Sequence, residues 1–554
     1  MGSVSSTHKP IIIPSRKRSA MLTISLPCTS GTSIDSASDH SQEIYSLVHE
    51  KSRYLDREEP PPPEKPHPPP PSFATYAPTQ DNISDAASTA YQEFLSSFPE
   101  YRSTWILDTL RRSDYTRLET TGETYVDYMG GAIYPESLIR VHTEFLNRSI
   151  LGNTHSVSNS SKLSLKCADQ ARHLISIRLF LPPNATGALK LVGESYPFAG
   201  GSKYVLGCDS HNSIHGARVC YIPPTSTGGF ESSTAKNILL RNRPRTKTSA
   251  PCLFALTGQS NISNTKSSLS IMEYATSLGY HTLLDAAALA ATSTISLSEF
   301  PVDAMAVSFY KMFGFPTGVG ALVVKKSFLK QLKRPWFAGG NVDIVQVPGT
   351  VVTRSHELHE QFEDGTINYL TLPAVTDGLR FLSAYLPFLP LRLSCLVHYL
   401  VSSLSRLRHD TGTPAVRILS ATPSRRLKSI GDQSDTGSII SLIFLDPSGE
   451  MIPNSFIEYA ASKLSISLRT GCMCNPGGAA AILGIQEDMQ QLHEGVTLKD
   501  FERTVGHELG VVRVSLGLAS NFQDAWTVVR FAGLIAVEKT RNVLWDYFME
   551  DSGA

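Results

Sequence analysis

Short apolar runs alternate with helical patterns from about residue 90 onward, and that alternation limits the fold more than any other feature of the chain. Such a pattern builds a sheet of mainly parallel strands covered by helices. Two of the runs carry a further constraint: residues 280–284 end on Asp285, and residues 305–309 close the patch Ser308-Phe309-Tyr310-Lys311. In an open α/β sheet, ligands sit outside the carboxyl ends of the strands. Each run therefore delivers one charged group where a ligand is expected.

An amine and a carboxylate so delivered suit pyridoxal phosphate. The amine binds the cofactor's aldehyde, and the carboxylate pairs with the ring nitrogen and keeps it protonated. Ser308 and Thr317 supply hydroxyls for a phosphate, and the glycines of Pro316-Thr317-Gly318-Val319-Gly320 let backbone N–H groups approach an anion. His211 lies in the polar turn Asp209-Ser210-His211-Asn212-Ser213, where an imidazole can stack on a planar ring. Gly318-x-Gly320 is not a dinucleotide fingerprint, since the third glycine is missing and the pair precedes a strand. A solvated lysine and a helix-capping aspartate are the ordinary alternative for Lys311 and Asp285.

A chain of 554 residues exceeds one ordinary core, so two or three packed units are expected. Lys plus Arg and Asp plus Glu are 50 each, which leaves no global field to draw nucleic acid or an anionic membrane. Eight irregularly placed cysteines in so long a chain read as reduced intracellular thiols, not a disulfide scaffold. Residues 381–404 are rich in Leu and Val, but Pro387, Pro390, Arg392 and His398 interrupt them, so a buried or amphipathic helix is expected and no transmembrane segment. No secretory signal is visible. The expected location is cytoplasmic, with an organelle presequence around Arg16-Lys17-Arg18 and the loose myristoylation pattern at Gly2 as alternatives.

Residues 1–90 read as a disordered Ser- and Pro-rich tail. A large cofactor-binding domain is expected over 91–375, its first part also contributing to a smaller α+β domain over 376–545 with strand-like runs at 438–445, 464–468 and 510–516. Residues 223–248 and 422–436 read as surface loops. Arg469 and Arg513 close or interrupt two of the strands, where burial demands an anionic partner. A substrate carboxylate held bidentately and an internal carboxylate both meet that demand. Arg469-Thr470-Gly471-Cys472-Met473-Cys474-Asn475-Pro476-Gly477-Gly478 adds two thiols on a loop. One Cys-x-Cys pair lacks the spacing of a zinc site, so no metal is expected. A mobile thiolate beside a bound amino acid can instead attack the sulfur of cysteine, leaving a persulfide and alanine.

Several separate blocks, in order, resemble the pyridoxal-phosphate cysteine desulfurases of the class V aminotransferase superfamily, and most closely the amino-terminal domain of eukaryotic molybdenum cofactor sulfurases. They are residues 124–132, 152–156, 188–194, 259–261, 284–288, 308–320, 362–368 and 469–477. The resemblance implies a type I pyridoxal-enzyme fold, L-cysteine as substrate, a homodimer and a sulfur acceptor. It assigns Lys311 to the aldehyde, Asp285 to the ring nitrogen, His211 to ring stacking and Asn261 to the ring hydroxyl. Thr186 and Ser308 take the phosphate, Thr317 reaches the neighbouring subunit's phosphate, and Arg513, Arg469 and His155 meet the substrate. Cys474 carries the persulfide.

Three features depart from the family pattern. Pro183-Asn184-Ala185-Thr186 replaces the usual phosphate loop, and Gly478-Ala479-Ala480 replaces a further cysteine. The chain ends after the desulfurase-like region, so no cofactor-binding carboxy-terminal domain is expected, and delivery of sulfur to molybdenum cofactor calls for a separate carrier. Other chemistry on the same fold, or a catalytically inactive sulfur-accepting scaffold, are the alternatives.

Overall fold

The central strands of the main sheet are mostly apolar and buried because both of their faces are covered. In the computed structural model, which describes residues 80–552 apart from 175–177, 181, 217–218 and 246–249, seven strands form this sheet. Their spatial order is Arg178–Phe180, Gly320–Val324, Ala304–Ser308, His281–Asp285, Leu253–Thr257, Tyr204–Gly207 and Val219–Ile222. Only Gly320–Val324 runs against the others. Because successive side chains of a strand point to opposite faces, Leu253, Ala255, Leu283, Ala304 and Ala306 pack on one side. There they meet Ala188, Leu189 and Val192 of the helix Ala185–Ser195. Phe254, Leu284, Met305 and Val307 face the larger core on the other side.

A second sheet, entirely antiparallel, has the order Val416–Ile418, Ile439–Phe444, Val511–Ser515, Arg469–Gly471. The amino-terminal segment packs against this part of the chain. Thr124–Tyr125 pairs in parallel with Ile466–Ser467, and the Phe94 ring packs, tilted, with its centroid 4.8 Å from that of Phe522. Arg111 meets Asp524 at 2.7 Å, both side chains buried.

Four expectations change. Most of the expected tail lies outside the described residues, but helix begins at Gln80, ahead of the expected start near Ala90. Its first turns carry small and polar residues, so no apolar stripe announced it. Residues 232–241, expected as loop, form the helix Ser232–Arg241 because Ala235 and Leu239 are buried in the core. The run at 464–468 yields only the two-residue strand Ile466–Ser467, since Ser465 takes a left-handed φ of 53°. The Leu-rich stretch forms two helices, Leu372–Tyr385 and Leu389–Leu404, bent by 67°. Together they match a broken span in length and composition, yet Arg392, Leu396 and Leu400 are all 0% exposed in the protein core. No single described helix is long and apolar enough to cross a membrane.

Candidate active site

Four neighbouring parallel strands end on one edge, and each hands a side chain to the same cavity. His281–Asp285 ends on Asp285 itself. Ala304–Ser308 ends on Ser308 and runs into the short helix Phe309–Phe313, which carries Lys311. The turns after Leu253–Thr257 and Tyr204–Gly207 carry Asn261 and His211, and the helix Ala185–Ser195 brings Thr186. The cavity encloses about 450 Å³ of space open to solvent, and its wall also includes Ser213, Gln259 and Tyr310.

Burial dominates the charges here. It raises the Asp285 pKa above the ordinary carboxylate value, against the pull of an Ala287 N–H bond (3.0 Å), Lys311 and His211. Burial lowers the Lys311 pKa, and Arg513 and Arg469 push the same way against Asp285 and Asp127. A lysine so shifted offers more of its neutral, nucleophilic amine. Ser213 N–H donates to His211 Nδ1 at 3.1 Å, so that nitrogen carries no proton and the neutral ring is protonated on Nε2. Burial, followed by Lys311, depresses the His211 pKa in keeping with that state.

At the opposite end of the cavity, the Asn184 side chain caps the helix Ala185–Ser195 through Gly187 N–H at 2.9 Å. Ala185 N–H donates to Ser308 Oγ at 2.9 Å, and the Thr186 and Ser213 hydroxyls lie 2.7 Å apart. The altered loop thus still presents hydroxyls at a helix N-terminus, which favours an anion. The donor set fits pyridoxal phosphate: a buried carboxylate for the ring nitrogen, hydroxyls and a helix end for the phosphate, an amine and a neutral imidazole between them.

The cysteine loop is rooted in the cavity wall. Asn475, fully buried, donates to Asp209 Oδ1 at 2.7 Å and to Asn261 Oδ1 at 3.1 Å, and caps the helix Pro476–Leu483 through Gly478 N–H at 3.0 Å. Asn261 returns a bond of 2.6 Å to the Met473 carbonyl, and Asn212 N–H donates to the Cys474 carbonyl at 2.7 Å. Asn261 therefore commits both ends of its amide to the loop while lining the cavity. Met473 and Cys474 both adopt left-handed φ values, 55° and 54°. Cys474 is exposed, whereas Cys472 is half-buried, its thiol pKa raised by burial, Glu502 and Cys474.

Arg469 and Arg513 stand directly opposite each other across their antiparallel strands. Asp127 sits between them: its Oδ2 accepts from Arg469 Nε (2.9 Å) and Nη2 (2.7 Å), and its Oδ1 from Arg513 Nη2 at 2.7 Å. Of the two partners left open for these arginines, the structure shows the internal carboxylate. Neither arginine lines the cavity, although both act on the Lys311 charge. Two other candidates also lie outside the cavity wall. His155 is exposed with Nε2 3.1 Å from the Gly365 carbonyl, and Thr317 is exposed in the turn after Phe309–Phe313.

Sequence reasoning missed Asp127, Asp209, Asn475, Ser213 and Gln259 as site residues. All five lie inside stretches singled out above, so adjacency was the available signal. Gln259 is buried with both amide atoms unpartnered. Its amide packs so closely on Gly437 that a Cβ there would sit 2.3 Å from Nε2.

The main sheet, with Asp285 and the Lys311 turn at adjacent carboxyl ends, defines a type I pyridoxal-phosphate enzyme fold. The sequence pattern of the class-V aminotransferases matches residues 124–525, and the chain belongs to that family. Pyridoxal phosphate is the cofactor that membership implies. Among relatives, the molybdenum cofactor sulfurase of Danio rerio is 32% identical over 455 residues, covering 76% of this chain and 54% of that protein. The human protein of the same name is 30% identical over 458 residues, covering 76% and 50%. The chain spans about half the length of the curated relatives it matches. Among solved structures, the cysteine desulfurase from Thermococcus onnurineus NA1 superposes with a TM-score of 0.59 at 18% identity, over 77% of this chain and 98% of that one. The cysteine desulfurase CsdA from Escherichia coli gives 0.58 at 16%, over 79% and 98%. At such identities these two likenesses show the fold.

Proposed function

We propose that the chain is a cysteine desulfurase: it converts L-cysteine to L-alanine and keeps the sulfur as a persulfide on Cys474. The observation that carries this reading is the placement of Cys474, an exposed thiol on a loop bonded through Met473 and Asn475 to Asn261 in the cavity wall. Bound pyridoxal phosphate supplies an electron sink for the substrate's α-carbon. Asp285 holds the ring nitrogen protonated, and Thr186, Ser308 and the helix end hold the phosphate. Lys311 supplies the amine that binds the aldehyde and moves the proton at the α-carbon. His211, neutral, covers the ring. The Cys474 thiolate attacks the substrate sulfur, the carbon–sulfur bond breaks with its electron pair leaving toward carbon, and a proton replaces sulfur there to give alanine.

In this reading the sulfur passes to molybdenum cofactor or to a protein that carries it, the acceptor class named by the relatives. The working unit is a homodimer. Exposed large apolar side chains close together in sequence support it: Trp336 is 76% exposed, Ile344 62% and Val347 85%. Thr317 then serves the second copy's phosphate. The test is product identity: purified chain with pyridoxal phosphate and L-cysteine yields L-alanine in step with protein-bound, reducible sulfur. Pyruvate or carbon dioxide in place of alanine would overturn the reading.

A further inference from the structure

Two arginines directly opposite each other in an antiparallel pair repel, and here a single carboxylate, Asp127, sits between Arg469 and Arg513. Two positive charges and one negative leave the cluster one charge short of balance. The shortfall lies on donors that still have capacity. Arg513 is 2% exposed, donates Nη1 to the Asn261 carbonyl at 3.1 Å, and leaves Nε buried without a partner. The Arg469 side chain is half-exposed. The backbone closes over the cluster at Gly130, where a Cβ would lie 2.3 Å from Asp127 Oδ2 and 2.5 Å from Arg469 Nη2, so the carboxylate is held by shape as well as charge.

Resting on the desulfurase reading for its choice of ligand, we infer that Asp127 occupies the position of the substrate's α-carboxylate and is a specificity-determining residue. A carboxylate ligand binds by taking over arginine bonds that Asp127 makes in the free protein. The internal carboxylate competes with every carboxylate ligand equally, whereas a neutral ligand cannot take over the arginines' charge-assisted bonds whether or not position 127 is charged. Substrate entry is an exchange of one carboxylate for another, and Asp127 sets its midpoint.

The probe is propionate, which has the carboxylate but neither amine nor sulfur, with propionamide as the neutral control. Binding is measured calorimetrically on the full chain, with and without pyridoxal phosphate. Asp127→Asn keeps an acceptor between the arginines but removes the competing charge, so propionate should bind about ten-fold more tightly while propionamide stays unchanged. Arg469→Gln neutralises the cluster and should lose propionate. The double variant Asp127→Asn/Arg469→Gln restores the wild-type net charge and should regain it, which carries the test if Asp127→Asn alone does not fold. Propionate affinity unchanged in Asp127→Asn, or not regained in the double variant, overturns the inference. Because propionate cannot be desulfurated, a chain that passes here yet forms no alanine from cysteine keeps this site and loses the desulfurase reading.

Discussion

Asn475 is the residue whose loss should separate the cysteine loop from the cofactor cavity. Replacing it with alanine removes its bond to Gly478 N–H, a helix cap worth about 1 kcal/mol. It also removes a 2.7 Å bond to the Asp209 carboxylate, worth about 1.5 kcal/mol, because Asp209 keeps Ser260 Oγ (2.6 Å), Gly229 N–H (2.7 Å) and the Ser263 hydroxyl. Asn261 Oδ1, buried, loses its 3.1 Å donor at a further cost of about 1 kcal/mol. The expected destabilisation is therefore about 3.5 kcal/mol. Asn475→Ser restores the cap and should recover about 1 kcal/mol of it. Urea unfolding followed by tryptophan fluorescence measures both, and iodoacetamide labelling of Cys474 reports the loosened loop. If both variants unfold within about 0.5 kcal/mol of the wild type, the scale of a neutral surface change, the network is not what holds the loop.

Cys474→Ser should end alanine formation with the cofactor still bound, whereas Cys472→Ser should retain most activity; a persulfide mapped by mass spectrometry to Cys472 would exchange the two roles. In cofactor-free protein the depressed Lys311 pKa means the unfolded chain binds the extra proton, so Lys311→Met should be more stable than wild type at neutral pH. That gain should shrink as the pH rises from the folded-state value toward the unfolded 10.5, and a pH-independent gain in denaturation experiments would contradict the assignment. Arg111→Met strands the buried Asp524 carboxylate and should cost about 3–5 kcal/mol in the same urea assay; a loss near zero would show the pair to be dispensable.

The sheet and its charged edge were legible because buried parallel strands are continuous apolar runs and because Asp285 and Lys311 lie at or just past their ends. The thiol loop was legible for a similar reason, since its residues are neighbours in sequence. Asp127 was not legible as the arginines' partner. It lies 342 residues from Arg469 and 386 from Arg513, and nothing local in either strand says which carboxylate the fold will bring between them. The helix Ser232–Arg241 escaped for the opposite reason: the basic cluster from Arg241 to Lys247 beside it reads as loop, and the buried Ala235 and Leu239 on the core override that reading.

The left-handed pair Met473-Cys474 has a consequence for how sulfur leaves. Each non-glycine residue in that region costs about 1 kcal/mol, and here the cost is met by bonds from Asn261 and Asn212 to the two carbonyls. Release of those two bonds would let the tip relax while Asn475, deep in the protein, stays where it is. The loop is thus built like a latch on a fixed pin: loaded where Asn261 and Asn212 hold it, and lighter in any position that frees Cys474 to reach an acceptor.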